Sequence, residues 1–425
     1  MFPMRTVVMG AFVPTGIVEV GMGAMLPIIA PSVVSLGGSL QVAALIAALL
    51  PVGKILADLP AGALAARVGD RMAMILAGVV AALSFVLAGF APSVITLGVA
   101  MLAVGAASAV FGLARHSYLT EITPPLRRAR VLSTLAGVHR IGQFLGPFVG
   151  ALVVAGGNVS NAYLLGAGTA VIATFVLVLI REEPRQARRE ARRAPRDKQR
   201  TVAPAAPTLT LRQVLAEHHR KFTTVGIAVV LVGSVRGARL TVLPLWGEYL
   251  GLEASTTSLI FGLAGAVDMV LFYPAGKIMD HLGRLWIGIP SMIIMALSMF
   301  LLPFTQSVWS MSVVAAIMGF GNGISTGVLM TIGSDLAPEH GRAQFLAMWR
   351  VLQDGGMSLG PLAVTVGAAL GSLAAGIFAT GVLGVAATGA LGHWVPKWSV
   401  HANRRTRRAA GIDPKPPRST KPRAS

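Results

Sequence analysis

Long apolar runs of roughly 20 residues, separated by charged or Gly/Pro-rich breaks, recur along the whole chain. A helix of roughly 20 apolar residues can cross the ~30 Å hydrocarbon core of a bilayer, so each run predicts one membrane-spanning helix. The runs lie near 7–29, 39–61, 72–90, 94–114, 131–154, 161–180, 222–246, 256–276, 285–303, 308–330, 343–368 and 373–394. The pattern therefore predicts an all-α integral membrane protein with twelve transmembrane helices.

Composition excludes a soluble enzyme. Of the 425 residues, 54% are hydrophobic and 12% are charged, and the mean hydropathy is +0.71, which is too high for a water-facing surface. The chain has no cysteine, which excludes disulfides, zinc–thiolate sites and cysteine nucleophiles. The stretch 323–327 spells the G-x-S-x-G of hydrolases, but it lies inside an apolar run and not in a strand–turn–helix elbow. We therefore expect no enzymatic activity, no metal and no cofactor.

The basic residues lie on one side of the predicted membrane. The chain carries 36 Lys and Arg against 17 Asp and Glu, a formal charge of +19. Most of these cations fall in 181–221, in 397–425 and in short turns on one side, whereas the connections on the other side contain none. This asymmetry places both termini in the cytoplasm and explains the charge without a nucleic-acid partner. The basic segments have two interpretations. They are ordinary basic loops that stay on the cytoplasmic side, or they also bind anionic lipid at the membrane surface.

The two halves of the chain repeat at a constant offset. Pro60, Ala61 and Gly62 recur 214 positions later as Pro274, Ala275 and Gly276, and Gly142, Gly146 and Pro147 recur as Gly356, Gly360 and Pro361. One offset aligns the second to fifth runs with the eighth to eleventh without a gap. It predicts an N-terminal six-helix bundle at 1–180, a basic cytoplasmic linker at 181–221, a C-terminal six-helix bundle at 222–396 and a basic cytoplasmic tail at 397–425. The linker and tail are too polar to bury a core.

Two parallel six-helix repeats joined by such a linker resemble the major facilitator superfamily (MFS) of transporters, and its drug:proton antiporter-like branch in particular. The stretch GALAARVGDR at 62–71 is similar to the family's loop 2–3 signature, with Ala66 in place of the usual Asp. The stretch GKIMDHLGR at 276–284 is a second copy that keeps this Asp. The resemblance implies a gating motif made of Asp58, Gly62, Arg67, Gly69, Arg71, Gly276, Asp280, Gly283 and Arg284. It also implies a small-molecule substrate, two pseudo-symmetric bundles and a monomer.

The stretch GQFLGPFVGA at 142–151 is similar to the family's antiporter motif, with Ala151 in place of its last Gly. Through this resemblance, Gly142, Gly146, Pro147 and Gly150 suggest export. Glycines at four-residue spacing also let any two helices approach closely, and proline kinks a helix. Antiport and simple packing therefore remain two open interpretations of the motif.

Ionisable side chains inside the predicted helices are functional candidates, because each costs about 3 kcal/mol to place at membrane depth. At the 214 offset, Lys54 is equivalent to Asp268, and Arg140 is equivalent to Asp354. In the family that the chain resembles, the second helix packs against the eleventh and the fifth against the eighth. The resemblance thus predicts inter-bundle ion pairs Lys54–Asp354 and Arg140–Asp268, which either break and re-form during transport or act as permanent struts.

Glu19 and Arg236 lie at matching places in the first run of each half, and these runs line the cavity in the family that the chain resembles. Glu19 is the best candidate for a proton carrier, with Asp268 and Asp354 as further coupling residues. The substrate-binding candidates are Glu19, Arg236, Arg239 and Asn322. The alternatives are a fixed Glu19–Arg236 pair that closes the outer gate, and an Asn322 that only satisfies local backbone. His139 has two open interpretations, a group that takes up a proton near neutral pH and a packing residue, and packing is the more common role of a lone histidine.

Together these features predict a proton-coupled secondary transporter in the cell membrane, which exports small amphipathic compounds by alternating access. The alternative is an uptake symporter or facilitator for a small polar or anionic metabolite. That alternative is favoured if Arg236 and Arg239 bind a carboxylate or phosphate.

Overall fold

The computed structural model describes residues 4–179, 211–325 and 327–411, and every regular element in these ranges is a helix. Twelve long helical runs follow one another within the described ranges, as the apolar pattern predicts. They are α1 Val8–Ser35, α2 Leu40–Val68, α3 Asp70–Gly89, α4 Val94–Ile122, α5 Pro125–Val154, α6 Ser160–Leu179, α7 His219–Tyr249, α8 Ala254–Leu282, α9 Leu285–Leu301, α10 Val308–Leu336, α11 Arg342–Leu370 and α12 Leu373–Trp398.

Eleven of these runs contain a stretch long and apolar enough to cross a membrane. The remaining one, α11, is also long at 29 residues, but Arg342, Arg350 and Asp354 interrupt its apolar surface. The predicted all-α membrane fold is confirmed. Several helices extend beyond the apolar runs, because a helix continues into polar residues past the bilayer core; α4, for example, reaches Ile122 instead of ending near 114.

Local sequence sets many of the helix ends. Ser39, Ser93, Ser307 and Ser372 each precede a helix and accept a hydrogen bond from the backbone N–H three residues on. Gly69 joins α2 to α3 with φ of +93°, and Gly283 joins α8 to α9 with φ of +104°. Residues with a Cβ rarely adopt such positive φ angles, so a glycine makes each of the two turns. The 214 offset relates these two glycines, and the same turn therefore occurs in each half.

The helix α10 is discontinuous. Its first part ends at Ile324 and its second part begins at Val328, and Gly327 between them has φ of +86°. The described residues around the G-x-S-x-G stretch therefore belong to a break between two helical segments, with no strand before them. The second part of α10 is held by Trp349 of α11, whose indole Nε1 donates to the carbonyl of Leu329 at 2.9 Å.

The chain forms two compact units. The first contains the described residues of 1–213 together with 243–262, and the second contains 214–242 with the described residues from 263 onward. The division therefore cuts through α7 and α8. The boundaries 1–180, 181–221, 222–396 and 397–425, which come from the sequence repeat, stay a prediction.

The linker and tail are only partly described. Residues 180–210 and 412–425 lie outside the described residues, and Leu211–Glu217 forms a short helix before α7. After α12 the chain turns at Ser399 and forms a second short helix, Arg404–Ala409. Ala402 between them is fully buried, so the start of the tail packs within the second unit. The tail as a whole is too polar to bury a core, but this residue at its start is buried.

Candidate transport site

In the first unit, α1 brings a carboxylate against two polar side chains of α5. The Oε1 atom of Glu19 lies 2.6 Å from Nδ1 of His139, and Nε2 of Gln143 donates to Oε2 of Glu19 at 3.3 Å. The Glu19 side chain is 13% exposed and the His139 side chain 38% exposed. His139 and Gln143 lie one helical turn apart and so share a face of α5. This contact gives His139 a polar partner that the sequence had not assigned to it.

A seam of glycines lets α5 approach α1 closely enough for this contact. A Cβ on Gly142 would lie 2.6 Å from Cβ of Glu19, and one on Gly146 would lie 2.6 Å from Cα of Gly23. A Cβ on Gly150 would lie 3.0 Å from Cα of Ala24. Three glycines of the antiporter-like motif thus have a packing role, and their effect is to hold Glu19 beside His139. Whether the motif also marks export is a separate question.

Arg115 of α4 extends this cluster. Its Nη1 donates to the hydroxyl of Thr15 at 3.0 Å, one turn before Glu19 on α1, and Glu19 acts on it electrostatically. The residue is 8% exposed, and its Nε has no hydrogen-bond partner among the described residues. Sequence reasoning missed Arg115, because the predicted fourth span ended at 114. The missed signal was that apolar residues recur at helical spacing beyond it, at Tyr118 and Leu119, which are both buried.

In the second unit, Asn322 of α10 bridges a cation and an anion. Nε of Arg236 donates to Oδ1 of Asn322 at 3.0 Å, and Nδ2 of Asn322 donates to Oδ2 of Asp268 at 2.6 Å. The same Asp268 oxygen lies 3.5 Å from Nη2 of Arg239. The structure therefore brings four sequence-predicted residues of α7, α8 and α10 together in one polar cluster. The side chains of Arg239 and Asp268 are 12% and 14% exposed.

The break in α10 and a close helix contact position Asn322. Asn322 lies just before the break, where the hydroxyl of Ser325 donates to its carbonyl at 3.0 Å. A Cβ on the neighbouring Gly323 would lie 2.8 Å from Cα of Asp268, so only glycine permits this approach of α10 to α8. The cluster of Arg236, Arg239, Asp268 and Asn322 therefore depends on a packing contact as well as on charge.

The predicted ion pairs Lys54–Asp354 and Arg140–Asp268 each join one residue of the first unit to one of the second. Both pairs stay predictions. Within the second unit, Asp268 contacts Arg239 and Asn322, neither of which the charge-inversion argument had assigned to it.

The arginines of the predicted gating motif bind helix ends. Arg71 donates from Nε and Nη2 to the carbonyl of Leu177, at 2.9 and 2.8 Å, and from Nη2 to that of Val178 at 2.9 Å, at the end of α6. Arg284 donates to Oδ2 of Asp335 at 3.0 Å, at the end of α10. Sequence reasoning had missed Asp335.

Other motif residues are less informative. Gly62 and Gly276 lie inside α2 and α8 and make no turn, whereas Gly69 and Gly283 do. Arg67 is exposed near the end of α2, and Asp58 lies within the same helix. The side chain of Asp280 lies outside the described part of the structure.

Comparison with known proteins places the chain in a family. A family model described as Major Facilitator Superfamily matches residues 12–361. The uncharacterized MFS-type transporter YhjO of Bacillus subtilis (strain 168) is 24% identical over 329 residues, which cover 77% of this chain and 78% of that protein.

Solved structures share the fold. The crystal structure of a D-xylose-proton symporter has a TM-score of 0.70 at 16% identity and covers 94% of this chain and 99% of that chain. A bacterial homolog of the human lysosomal transporter Spinster has a TM-score of 0.69 at 14% identity and covers 98% of this chain and 100% of that chain. These identities establish similarity of fold alone.

Proposed function

We propose that this chain, which belongs to the Major Facilitator Superfamily, is a proton-coupled transporter that exports small amphipathic compounds. Membership of the family makes the protein a multi-span membrane transporter of a small molecule, and not an enzyme. The proposal adds the coupling ion, the direction of transport and the substrate class. It also places the protein in the cell membrane as a monomer, with both termini in the cytoplasm.

The observation that carries the proposal is the 2.6 Å contact between Glu19 and His139. A carboxylate and an imidazole at this distance form a pair that can share and pass a proton. Ionisable residues in membrane helices mark ion or proton pathways more often than they serve packing. Gln143 and Arg115 add further polar groups around the Glu19–His139 pair. A proton shared by the pair is therefore not in a purely apolar environment.

The substrate contacts that we propose lie in the cluster of Arg236, Arg239, Asp268 and Asn322. This cluster offers both hydrogen-bond donors and acceptors, and apolar helices surround it. A ligand with one polar end and an apolar body matches such a lining. Helix breaks at membrane depth, such as the one in α10 beside Asn322, are typical of substrate sites in transporters.

Export is proposed from the motif at 142–151. A second candidate is uptake of a small anionic metabolite, because two guanidinium groups in one cluster favour a carboxylate or phosphate on the substrate. The D-xylose-proton symporter among the structural neighbours is an example of proton symport on the same fold. In either direction, we propose that the two six-helix halves rock about the central site while the pairs Lys54–Asp354 and Arg140–Asp268 break and re-form.

Reconstituted vesicles with a trapped pH-sensitive dye test the proposal. An imposed pH gradient is combined with a panel of amphipathic amines, sugars, nucleosides and small carboxylates, and substrate-dependent proton flux is recorded. We expect flux with at least one amphipathic amine, and its loss in Glu19→Gln. The control is Glu253→Gln, which neutralises an exposed carboxylate in the turn after α7. Equal flux in Glu19→Gln and in the unchanged protein would refute coupling through Glu19.

A further inference from the structure

The start of the tail is docked on the turn between α8 and α9. The carbonyls of His401 and Ala402 accept the backbone N–H groups of Arg284 and Leu285, at 3.1 and 2.9 Å. These are donors at the beginning of α9, which have no partner within the helix itself. The tail therefore supplies the cap of α9 from a distant part of the chain.

Gly283 leaves the space that this docking needs. A Cβ at this position would lie 2.8 Å from Cα of Asn403 and 2.9 Å from the carbonyl oxygen of Ala402. The glycine of the second gating-motif copy thus has two roles, since it makes a turn with positive φ and it accommodates the tail. We call residues 399–411 the C-terminal strap.

The C-terminal strap presents positive charge. A capping box between Asn403 and Thr406 begins the helix Arg404–Ala409, and this helix carries four arginines. Arg404, Arg405 and Arg408 are exposed. From His393 to Gly411 the sequence contains no Asp or Glu, and Lys397, whose Nζ lies 2.8 Å from Nε2 of His393, adds a further exposed cation.

The position of the C-terminal strap fits the headgroup layer of the membrane. It begins directly after Trp398, which ends α12, a helix long and apolar enough to span. Trp398 is 38% exposed, and tryptophan is enriched where membrane helices enter the headgroup region. Docking at Gly283 keeps the arginine helix at this end of α12 and prevents it from extending freely away from the membrane.

We propose that the C-terminal strap is a binding site for anionic phospholipid headgroups. Its arginines donate to lipid phosphates, with Lys397 and Trp398 at the same level. Bound lipid would hold the strap on the α8–α9 turn, and therefore beside Arg284 and its partner Asp335. A headgroup is favoured over a soluble anion because the strap follows a membrane span, where headgroup phosphates are present at high local concentration. This inference is independent of the substrate and direction of transport.

A single fluorescent label tests the proposal. Because the chain has no cysteine, Ala409→Cys introduces one exposed thiol at the end of the strap. The labelled protein is reconstituted in vesicles of phosphatidylcholine alone, and of phosphatidylcholine with phosphatidylglycerol. Iodide quenching from the aqueous phase is then measured. We expect quenching to fall several-fold when phosphatidylglycerol is present, and to recover in high salt.

Two variants separate charge from docking. Arg404→Gln with Arg405→Gln should strongly weaken the effect of phosphatidylglycerol, since each arginine near an anionic surface contributes about a fivefold preference. The matched control, Arg127→Gln with Arg130→Gln, removes two exposed arginines near the start of α5 and should keep the effect. Gly283→Ala should raise quenching in both lipids, because its Cβ displaces the strap with every arginine present.

Equal quenching of the labelled protein in both lipid compositions would overturn the proposal. An effect of undiminished size after the loss of Arg404 and Arg405 would also overturn it, because these arginines would then not be lipid contacts.

Discussion

The imidazole Nδ1 of His139 lies 2.6 Å from the carboxylate of Glu19, although α5 and α1 are far apart in the chain. The contact depends on Gly142, whose missing side chain leaves room for Glu19. A motif that the sequence associates with antiport is thus also the packing surface that holds Glu19 and His139 together. Substitutions at His139, at the glycines and in the second-unit cluster should therefore change different properties, namely proton coupling, stability and substrate binding.

His139→Gln should uncouple transport from the proton gradient. Gln can donate a hydrogen bond to Glu19 but cannot take up a proton, so proton-driven transport should fall by about 100-fold. Substrate exchange without a gradient should persist. The measurement is uptake into vesicles with and without an imposed pH gradient. His116→Gln, which removes an exposed imidazole from α4, is the control and should leave both rates unchanged.

Gly146→Val should destabilise the first unit. Its Cβ would meet Cα of Gly23 and the carbonyl of Val20, both at 2.6 Å, and overpacking of this kind costs about 1–3 kcal/mol. A lower thermal unfolding midpoint in detergent is the expected result. Gly168→Val in α6 should leave the midpoint unchanged, because no atom of another described helix lies within 4 Å of the added Cβ. Equal midpoints for the two variants would contradict a close α1–α5 seam.

Asn322→Leu should weaken substrate binding more than it weakens folding. Leucine has a similar volume but neither donates to Asp268 nor accepts from Arg236, and leaving buried polar groups without this partner costs about 1–3 kcal/mol. We expect KM to rise by about tenfold or more once a substrate is known. Asn158→Leu, in the exposed turn before α6, is the control. An unchanged KM would remove Asn322 from the substrate site.

Arg284 and Asp335 should show an interaction energy in a double-mutant cycle. Their side chains are 13% and 15% exposed and are joined by a hydrogen bond of 3.0 Å, so a coupling of about 0.5–3 kcal/mol is expected. Arg284→Gln, Asp335→Asn and the double variant are compared by their unfolding free energies. Strictly additive effects would show that the interaction between Arg284 and Asp335 contributes nothing to the stability of the C-terminal end of α10.

Periodicity and composition determined most of the fold. Apolar runs of about 20 residues have one stable arrangement in a bilayer, because a helix satisfies its own backbone hydrogen bonds there. The repeat at the 214 offset identified equivalent turns, such as those at Gly69 and Gly283, from sequence alone. The helix ends were less predictable. A helix continues past its apolar part into polar residues, and for that reason Arg115 was missed.

Tertiary structure decided which polar groups meet. The sequence singled out Glu19, Arg236 and Asp268 as costly residues at membrane depth. It favoured a packing role for His139, and it did not identify Asp335 as a functional residue. The sequence contains no local signal for a contact between helices that are remote in the chain. Such contacts depend on how closely two helices approach and on how each is rotated, and glycines and helix breaks set both only when the whole bundle is assembled.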